Sequence, residues 1–328
     1  MFSRVSQLSR HLSRPAISFS SIYTQRARTT LTNNSIMAST ATADERNSRN
    51  IHTAACLIIG DEVLGGKTVD TNSAYMAKWC FSLGINLKRI EVIEDDESEI
   101  IEAVRRMSDK FDFVVTSGGI GPTHDDITYQ SIAKAFGLPL VLNDKTYELM
   151  KKYSKPRPGE NPINWDEDSP RLRARLRMAE LPTDKNRDHD KQFLFPCEDQ
   201  EMWVPVAVVN GNIHILPGVP RIFQSLLDGL KTSIKPRLVD PALIRVIIST
   251  PLRESTMAPY LTELQKRVEA HGVKVGSYPR MENKKNTVTL VGKDKEFLDS
   301  ITPEVVENLQ GKVVTVEGED DELPEANL

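Results

Sequence analysis

From His52 to about Ser233, short apolar runs alternate with longer stretches whose apolar positions recur every three or four residues. The first pattern predicts strands buried on both faces, and the second predicts helices with one face on a core. Residues 54–59, 86–93 and 111–116 read as strands, and 73–83, 97–107, 126–136 and 145–153 read as helices. Parallel strands need a crossover between them, so this alternation implies an α/β domain of three layers, a mainly parallel sheet with helices on both faces.

Between 154 and 200 the pattern breaks. Six prolines and many charges accompany one basic helical piece at 172–180, and the stretch reads as a surface loop inserted into the domain. Residues 202–209 and 212–216 flank Asn210-Gly211, the signal of a tight hairpin, which places an antiparallel pair at the sheet edge. The turn Pro217-Gly218-Val219-Pro220 and a helix to about Ser233 follow. Beyond Pro241 a second pattern begins, with strands at 243–249, 273–277, 287–291 and 312–316 and helices at 254–270 and 295–309. The order βαββαβ predicts a small ferredoxin-like α+β domain. The expected organisation is a tail at 1–50, the α/β domain at 51–238, the ferredoxin-like domain at 239–318 and an acidic tail at 319–328.

Charge changes this picture at the amino terminus. Of the 42 basic residues, five arginines stand before Asp44, in a stretch without any acidic residue. With Phe2, Val5, Leu8 and Leu12 at roughly helical spacing, that stretch has the features of a mitochondrial transit peptide. The alternative is a tail without function, with Met37 as an internal start, so both cytoplasmic and mitochondrial locations are expected. The rest of the chain keeps 37 basic against 46 acidic residues, net −9, which excludes a general nucleic-acid binder. No apolar run approaches the ~20 residues of a membrane span. Three widely spaced cysteines, without CxxC, suggest neither a disulfide framework nor a zinc site.

Two strand-to-helix segments carry candidate chemistry. Residues 60–72 bring Gly60, Gly65 and Gly66 together with Asp61, Glu62, Lys67, Asp70 and Asn72 at the carboxyl end of the first strand, where ligands bind on open α/β sheets. The plainer reading is a solvated loop in which Thr71 or Asn72 caps the next helix. Residues 116–128 contain Gly118, Gly119 and Gly121, then Thr123, His124, Asp125, Asp126 and Thr128. Glycines there let backbone N–H groups turn inward around an anion, although no Walker sequence is present. Here the plainer reading is a capping box between Thr123 and Asp126, like that of Asp96 and Glu99.

A phosphate beside Asp125 and Asp126 would be repelled unless a cation intervened. Carboxylates from both loops, Asp61 and Asp70 with Asp125 and Asp126, are therefore the expected ligands of a hard divalent ion such as Mg²⁺, Mn²⁺ or Co²⁺, with Asp126 and Asp61 foremost. A monovalent cation is a further expected cofactor. His124 reads as either an acid-base group or a solvent-facing turn residue, and His214 as structural. Arg171, Arg173, Arg175 and Arg177 go round a helix rather than along one face, and read as solvated.

The series Gly60-Asp61-Glu62, Leu64-x-Gly66, Asp70-x-Asn72, then Gly118-Gly119-Ile120-Gly121-Pro122-Thr123-x-Asp125-Asp126-x-Thr128, then Leu216-Pro217-Gly218-Val219-Pro220 resembles the molybdopterin-binding, MoaB/Mog-like domain family. The branch it is most similar to holds the CinA type and the amino-terminal domain of animal FAD synthase, and residues 243–316 resemble the small domain that follows in that branch. The resemblance implies an oligomeric α/β/α protein with a nucleotide or pterin pocket between the glycine loops. It also implies metal-dependent hydrolysis of a dinucleotide diphosphate, FAD to FMN and AMP. By the same resemblance Asp61, Asp70, Asp125 and Asp126 serve the metal, and Gly118, Gly119 and Gly121 the phosphate. Asn72, Thr123 and Thr128 become pocket contacts. Apart from the resemblance, Lys67 reads as a point charge on its loop, and the turn with Pro217 and Gly218 as either a rigid connector or a third wall of the pocket. Molybdopterin adenylyl transfer and binding without catalysis remain the alternatives.

Two departures accompany the likeness. The synthase module of the animal proteins and the deamidase module of bacterial ones are missing from this sequence, so those activities are not expected. The acidic residue that commonly follows the PGVP turn in bacterial relatives is replaced by Arg221-Ile222.

Overall fold

The computed structural model describes residues 41–156, 158–159, 161–239, 242–280 and 285–320. The stretch read as a transit peptide and the acidic residues 321–328 lie outside them.

The first described element is helix α1, Ala43–Ser48, which corrects the expectation of a tail up to residue 50. Thr42 closes a capping box with Glu45, satisfying two N–H groups that a helix end otherwise leaves orphaned. Arg46 is buried and donates to the Ser108 carbonyl at 2.9 Å while pairing with Asp109. What composition concealed is that this short piece is anchored by tertiary contacts rather than by propensity.

Strand β1, Thr53–Ile59, is buried along almost its whole length, as the apolar run requires. Helices α2, Asp61–Leu64, and α3, Asn72–Ser82, lead to β2, Asn86–Ile93. Helix α4, Glu97–Lys110, starts at Asp96, whose carboxylate accepts the N–H groups of Ser98 and Glu99. Strand β3, Phe113–Ser117, is followed by α5, Thr128–Ala135, then β4, Leu140–Leu142, and α6, Asp144–Tyr153.

The inserted stretch is more than a loop. It folds as α7, Pro170–Leu176, β5, Glu180–Pro182, α8, His189–Gln192, and β6, Phe193–Leu194. The basic helix therefore ends four residues earlier than its pattern predicts, because Glu180–Pro182 pairs antiparallel with β4. Ala179, Leu181, Phe193 and Cys197 are all buried. Strands β7, Val206–Val209, and β8, Ile213–Leu216, form the predicted hairpin, and α9, Pro220–Ile234, follows with proline in its first turn.

The six-stranded sheet runs β2-β1-β3-β8-β7-β6. The hairpin thus lies inside the sheet, β8 pairing parallel with β3, and the short β6 takes the edge instead. Four strands, β2, β1, β3 and β8, are mutually parallel and present their carboxyl ends along one rim. Helices α3 and α9 cover one face, packing Met76, Trp79, Phe223 and Leu227 against Phe113 and its neighbours on the sheet. Helices α4 and α5 cover the other with Ile100, Val104, Met107 and Ile132. The chain runs outward from β1 to β2 and back across β1 to β3, so the crevice between β1 and β3 is a topological switch point.

The second domain consists of β9, Ile244–Thr250, α10, Glu254–Val268, β10, Lys274–Tyr278, β11, Asn286–Gly292, α11, Lys295–Asn308, and β12, Lys312–Val314. Its sheet is antiparallel in the order β10-β11-β9-β12, and both helices bury Leu264, Val268, Leu298 and Val305 against it. This is the predicted ferredoxin-like arrangement. Among the described residues no helix is long and apolar enough to cross a membrane.

Candidate functional site

The rim where β1, β2, β3 and β8 end collects the loops that the sequence singled out, with one more besides. After β1 the chain turns directly into α2, and Gly60 N donates to the Ile93 carbonyl at 3.1 Å, tying this turn to the end of β2. Asp61 N donates to Asp95 Oδ2 at 3.1 Å and Asp95 N donates to Asp61 Oδ1 at 3.2 Å, so each carboxylate holds the other's backbone. Asp95 was not among the sequence candidates, because beside the helix cap Asp96 it looks like part of the same cap. Its signal is electrostatic. Burial, and then the neighbouring charges of Asp61, Glu62 and Asp125, hold its carboxyl above the usual carboxylate range, against the Asp61 N–H that lowers it.

The glycine loop sits on this crest. Gly118 has φ +114°, and a Cβ there would stand 2.0 Å from the Ile59 carbonyl oxygen. Gly119, at φ +64°, would push a Cβ to within 2.2 Å of Thr128 Oγ1 and 3.2 Å of Asp95 Oδ1. Glycine is thus the residue that lets the loop pass over the end of β1. The buried Thr128 hydroxyl donates to the Gly118 carbonyl at 3.0 Å, and Thr128 N donates to the Gly119 carbonyl at 3.0 Å. Helix α5 starts at Thr128, two residues later than predicted, because Asp126 is turned back on its own loop. Asp126 Oδ2 accepts the Thr123 N–H at 2.9 Å and the Thr123 hydroxyl at 2.5 Å. Asp125 is exposed and is held below the ordinary range by the Thr123 hydroxyl, by a backbone N–H, and by the charges of His124 and Arg177. His124 itself faces solvent.

Asn72 ties three loops together. Its Nδ2 donates to Ser117 Oγ and to the Gly218 carbonyl, each at 2.9 Å, while its buried Oδ1 has no partner among the described residues. Pro217 is buried, Gly218 is exposed, and a Cβ on Gly218 would stand 3.3 Å from the Gly118 Cα. A narrow cleft of about 40 Å³ lies here, lined by Glu62, Asp70, Asn72, Ser117 and Gly218 among others. The orphaned amide oxygen is the mark expected of a group that meets a ligand or an ordered water.

Of the four carboxylates expected to share one ion, Asp70 accepts the N–H groups of Asn72 and Ser73 through Oδ1 and Asp126 accepts from Thr123 through Oδ2, just as Asp61 accepts the Asp95 N–H through Oδ1. Among the described residues no group of three or more His, Cys, Asp or Glu stands gathered for a metal. What the rim does hold is Asp95 with three further carboxylates, Asp61, Glu62 and Asp125, in electrostatic reach of it. All their donors are oxygen, which suits a hard divalent cation rather than a soft one. Lys67 is exposed on the 60–72 loop.

One cation enters from the insertion. Arg177, which caps the carboxyl end of α7, donates through Nη2 to the Asp126 carbonyl at 3.0 Å. The arginines of this helix are therefore not all solvated, as their spacing suggested. Arg173 pairs with Asp168 and Arg175 donates to Ser154 Oγ, inside their own segment. His214, read as structural, is buried and packs its ring 4.3 Å from that of Phe113.

Comparison with known proteins adds to this geometry. The family described as "Probable molybdopterin binding domain" matches residues 55–239, and the one described as "FAD synthase, middle domain" matches residues 242–317. A protein of Caenorhabditis elegans named "Probable FAD synthase" is 32% identical over 273 residues, covering 80% of this chain and 51% of that protein. A protein of Pyrococcus horikoshii is 32% identical over 265 residues, covering 79% of this chain and 95% of its own length. The chain spans about half the length of the nematode relatives it matches. Among solved structures, CinA from Thermoplasma acidophilum aligns at 30% identity with a TM-score of 0.45, covering 56% of this chain and 99% of its own. MoaB from Pyrococcus furiosus, titled a tungsten cofactor synthesizing protein, aligns at 16% identity with a TM-score of 0.34, covering 57% and 94%.

Proposed function

The chain belongs to the molybdopterin-binding domain family, and from that premise we propose that it is a metal-dependent hydrolase of a dinucleotide diphosphate, converting FAD and water to FMN and AMP. The observation that carries this reading is the meeting of the glycine loop with the Asp61–Asp95 crest at the switch point of the sheet. An anion held by the loop lies beside carboxylates, and that conflict is relieved by a cation between them. The FAD synthase middle domain that follows in the sequence, and the nematode relatives' names, point to a flavin dinucleotide as the guest. Those names describe synthesis; the hydrolytic direction is what the resemblance to the CinA and FAD synthase amino-terminal branch implies.

In this reading oxygens of Asp61, Asp95 and Asp125 would join the ligand's own phosphates around the divalent ion, since these carboxylates are not by themselves gathered as a metal site, and Gly118, Gly119 and Gly121 would present backbone to the phosphates. The ion, when bound, polarises a phosphoryl group and makes a bound water more acidic. Thr128 fixes the loop from below, and Asn72 offers its free Oδ1 to a donor on the ligand. Water oxygen joins one phosphorus, the bridging P–O bond breaks, and the two protons of water end on the departing phosphates and solvent.

The test is incubation of the purified chain with FAD and Mg²⁺, Mn²⁺ or Co²⁺, following FMN and AMP by chromatography. Both products should appear in equal amounts and vanish with EDTA. Intact FAD with all three metals would reject the proposal. The match of residues 55–239 also favours molybdopterin adenylyl transfer as a second reading. Retention of a pterin rather than a flavin by the protein, with ATP consumed, would decide for it.

A further inference from the structure

Four arginines lie in and just after α7, and Arg177 leaves its own segment to touch the glycine loop. Its guanidinium carries five N–H donors in a planar fork. One is spent on the Asp126 carbonyl, and Arg177 forms no ion pair among the described residues. It is half-buried and stands within electrostatic reach of Asp125. The rim nearby is acidic, with Asp61, Glu62 and Asp125 all in electrostatic reach of Asp95. A diphosphate entering such a rim needs donors that can take two oxygens at fixed spacing, and the arginine fork supplies them where a lysine would act as a point charge.

We propose that Arg177 is a diphosphate-binding residue of this site, keeping Nη2 on the Asp126 carbonyl and giving its remaining N–H groups to phosphate oxygens. The insertion at 154–200 is then part of the binding site, and the ligand class it favours is a nucleoside diphosphate ester over a monophosphate. This rests on the function proposed above and names the residue by which the site tells one phosphate from two.

Calorimetric titration of the full chain with ADP and with AMP, in Mg²⁺, tests it in the unmodified protein and in Arg177→Lys and Arg177→Gln. ADP affinity should fall at least tenfold in Arg177→Gln and by a smaller factor in Arg177→Lys, while AMP affinity changes less than threefold in both. KM for FAD should rise with kcat within twofold, the pattern of a group that binds ground and transition states alike. Equal ADP affinity in all three proteins, with a lowered unfolding midpoint in the variants, would reduce Arg177 to a latch and overturn the inference alone. Failure of the unmodified protein to bind ADP would overturn the nucleotide reading itself, and this inference with it.

Discussion

Asp61 and Asp95 end neighbouring parallel strands, and each accepts the other's backbone N–H, at 3.2 and 3.1 Å. The exchange locks the first two crossovers to each other and leaves one oxygen of each carboxylate outside it. Replacing Asp95 by Asn keeps an acceptor for the Asp61 N–H while removing the charge. The apparent affinity for the divalent ion should then fall about 10- to 100-fold, with little loss of stability. Metal titration of FAD turnover, beside a urea unfolding curve, checks both halves of this statement.

Glycine positions separate strain from steric conflict. Gly118→Ala would force a Cβ to 2.0 Å from the Ile59 carbonyl at a φ of +114°, whereas Gly66→Ala meets nothing within 4 Å at a φ of +70°. The first should cost more than about 3 kcal/mol or prevent folding. The second should cost about 1 kcal/mol, the left-handed backbone penalty alone. Urea midpoints of the two proteins provide the comparison.

The amino-terminal helix predicts a stability effect far from any ligand. Gly211, at φ +76°, would place a Cβ 1.8 Å from the Ala43 carbonyl, so α1 lies directly on the hairpin turn. Arg46→Ala removes a buried guanidinium that serves the Ser108 carbonyl and Asp109, and should cost about 2–3 kcal/mol. Its kcat on FAD should stay within twofold. A protein starting at residue 52 should unfold at lower urea than one starting at residue 41.

Acid stability has an identifiable contributor in His214. Burial, and then the charge of Arg237, push its imidazole down to about 3, while its Nδ1 lies 3.2 Å from the Asn212 carbonyl. Between that value and about 6.5 the unfolded chain binds the extra proton, so stability is fully present above pH ~6.5 and lost as pH falls below it. The slope from this residue approaches about 1.4 kcal/mol per pH unit. His214→Gln should flatten unfolding free energy between pH 6.5 and 5, where most carboxylates scarcely titrate.

Much of the framework was legible because it is periodic. The run 54–59 announces a strand buried on both faces, and Asn210-Gly211 announces its hairpin. Position along the sheet was less legible. The pairs Phe193–Ala207 and Leu140–Pro182 involve strands of two and three residues, too short for any pattern, and their register is set by what they pack against. The carboxylate crest was half legible. Asp61 and Asp125 sit in glycine-marked loops, but Asp95 stands one residue before a helix cap and becomes a site residue through the adjacency of β1 and β2. Arg177 was read as solvated because helical spacing describes a helix's own faces, and Arg177 acts from the point where the helix stops.

At Gly218, where an added Cβ would stand 3.3 Å from the Gly118 Cα, the wall of the crevice is main chain rather than side chain. Its contour is therefore written in dihedral angles. Exchanges among the surrounding side chains can retune charge and greasiness while this stretch of wall keeps its outline. Chemistry on this scaffold is altered from the lip inward, and engineers seeking a new guest should begin with the exposed Leu64, Val69 and Val219.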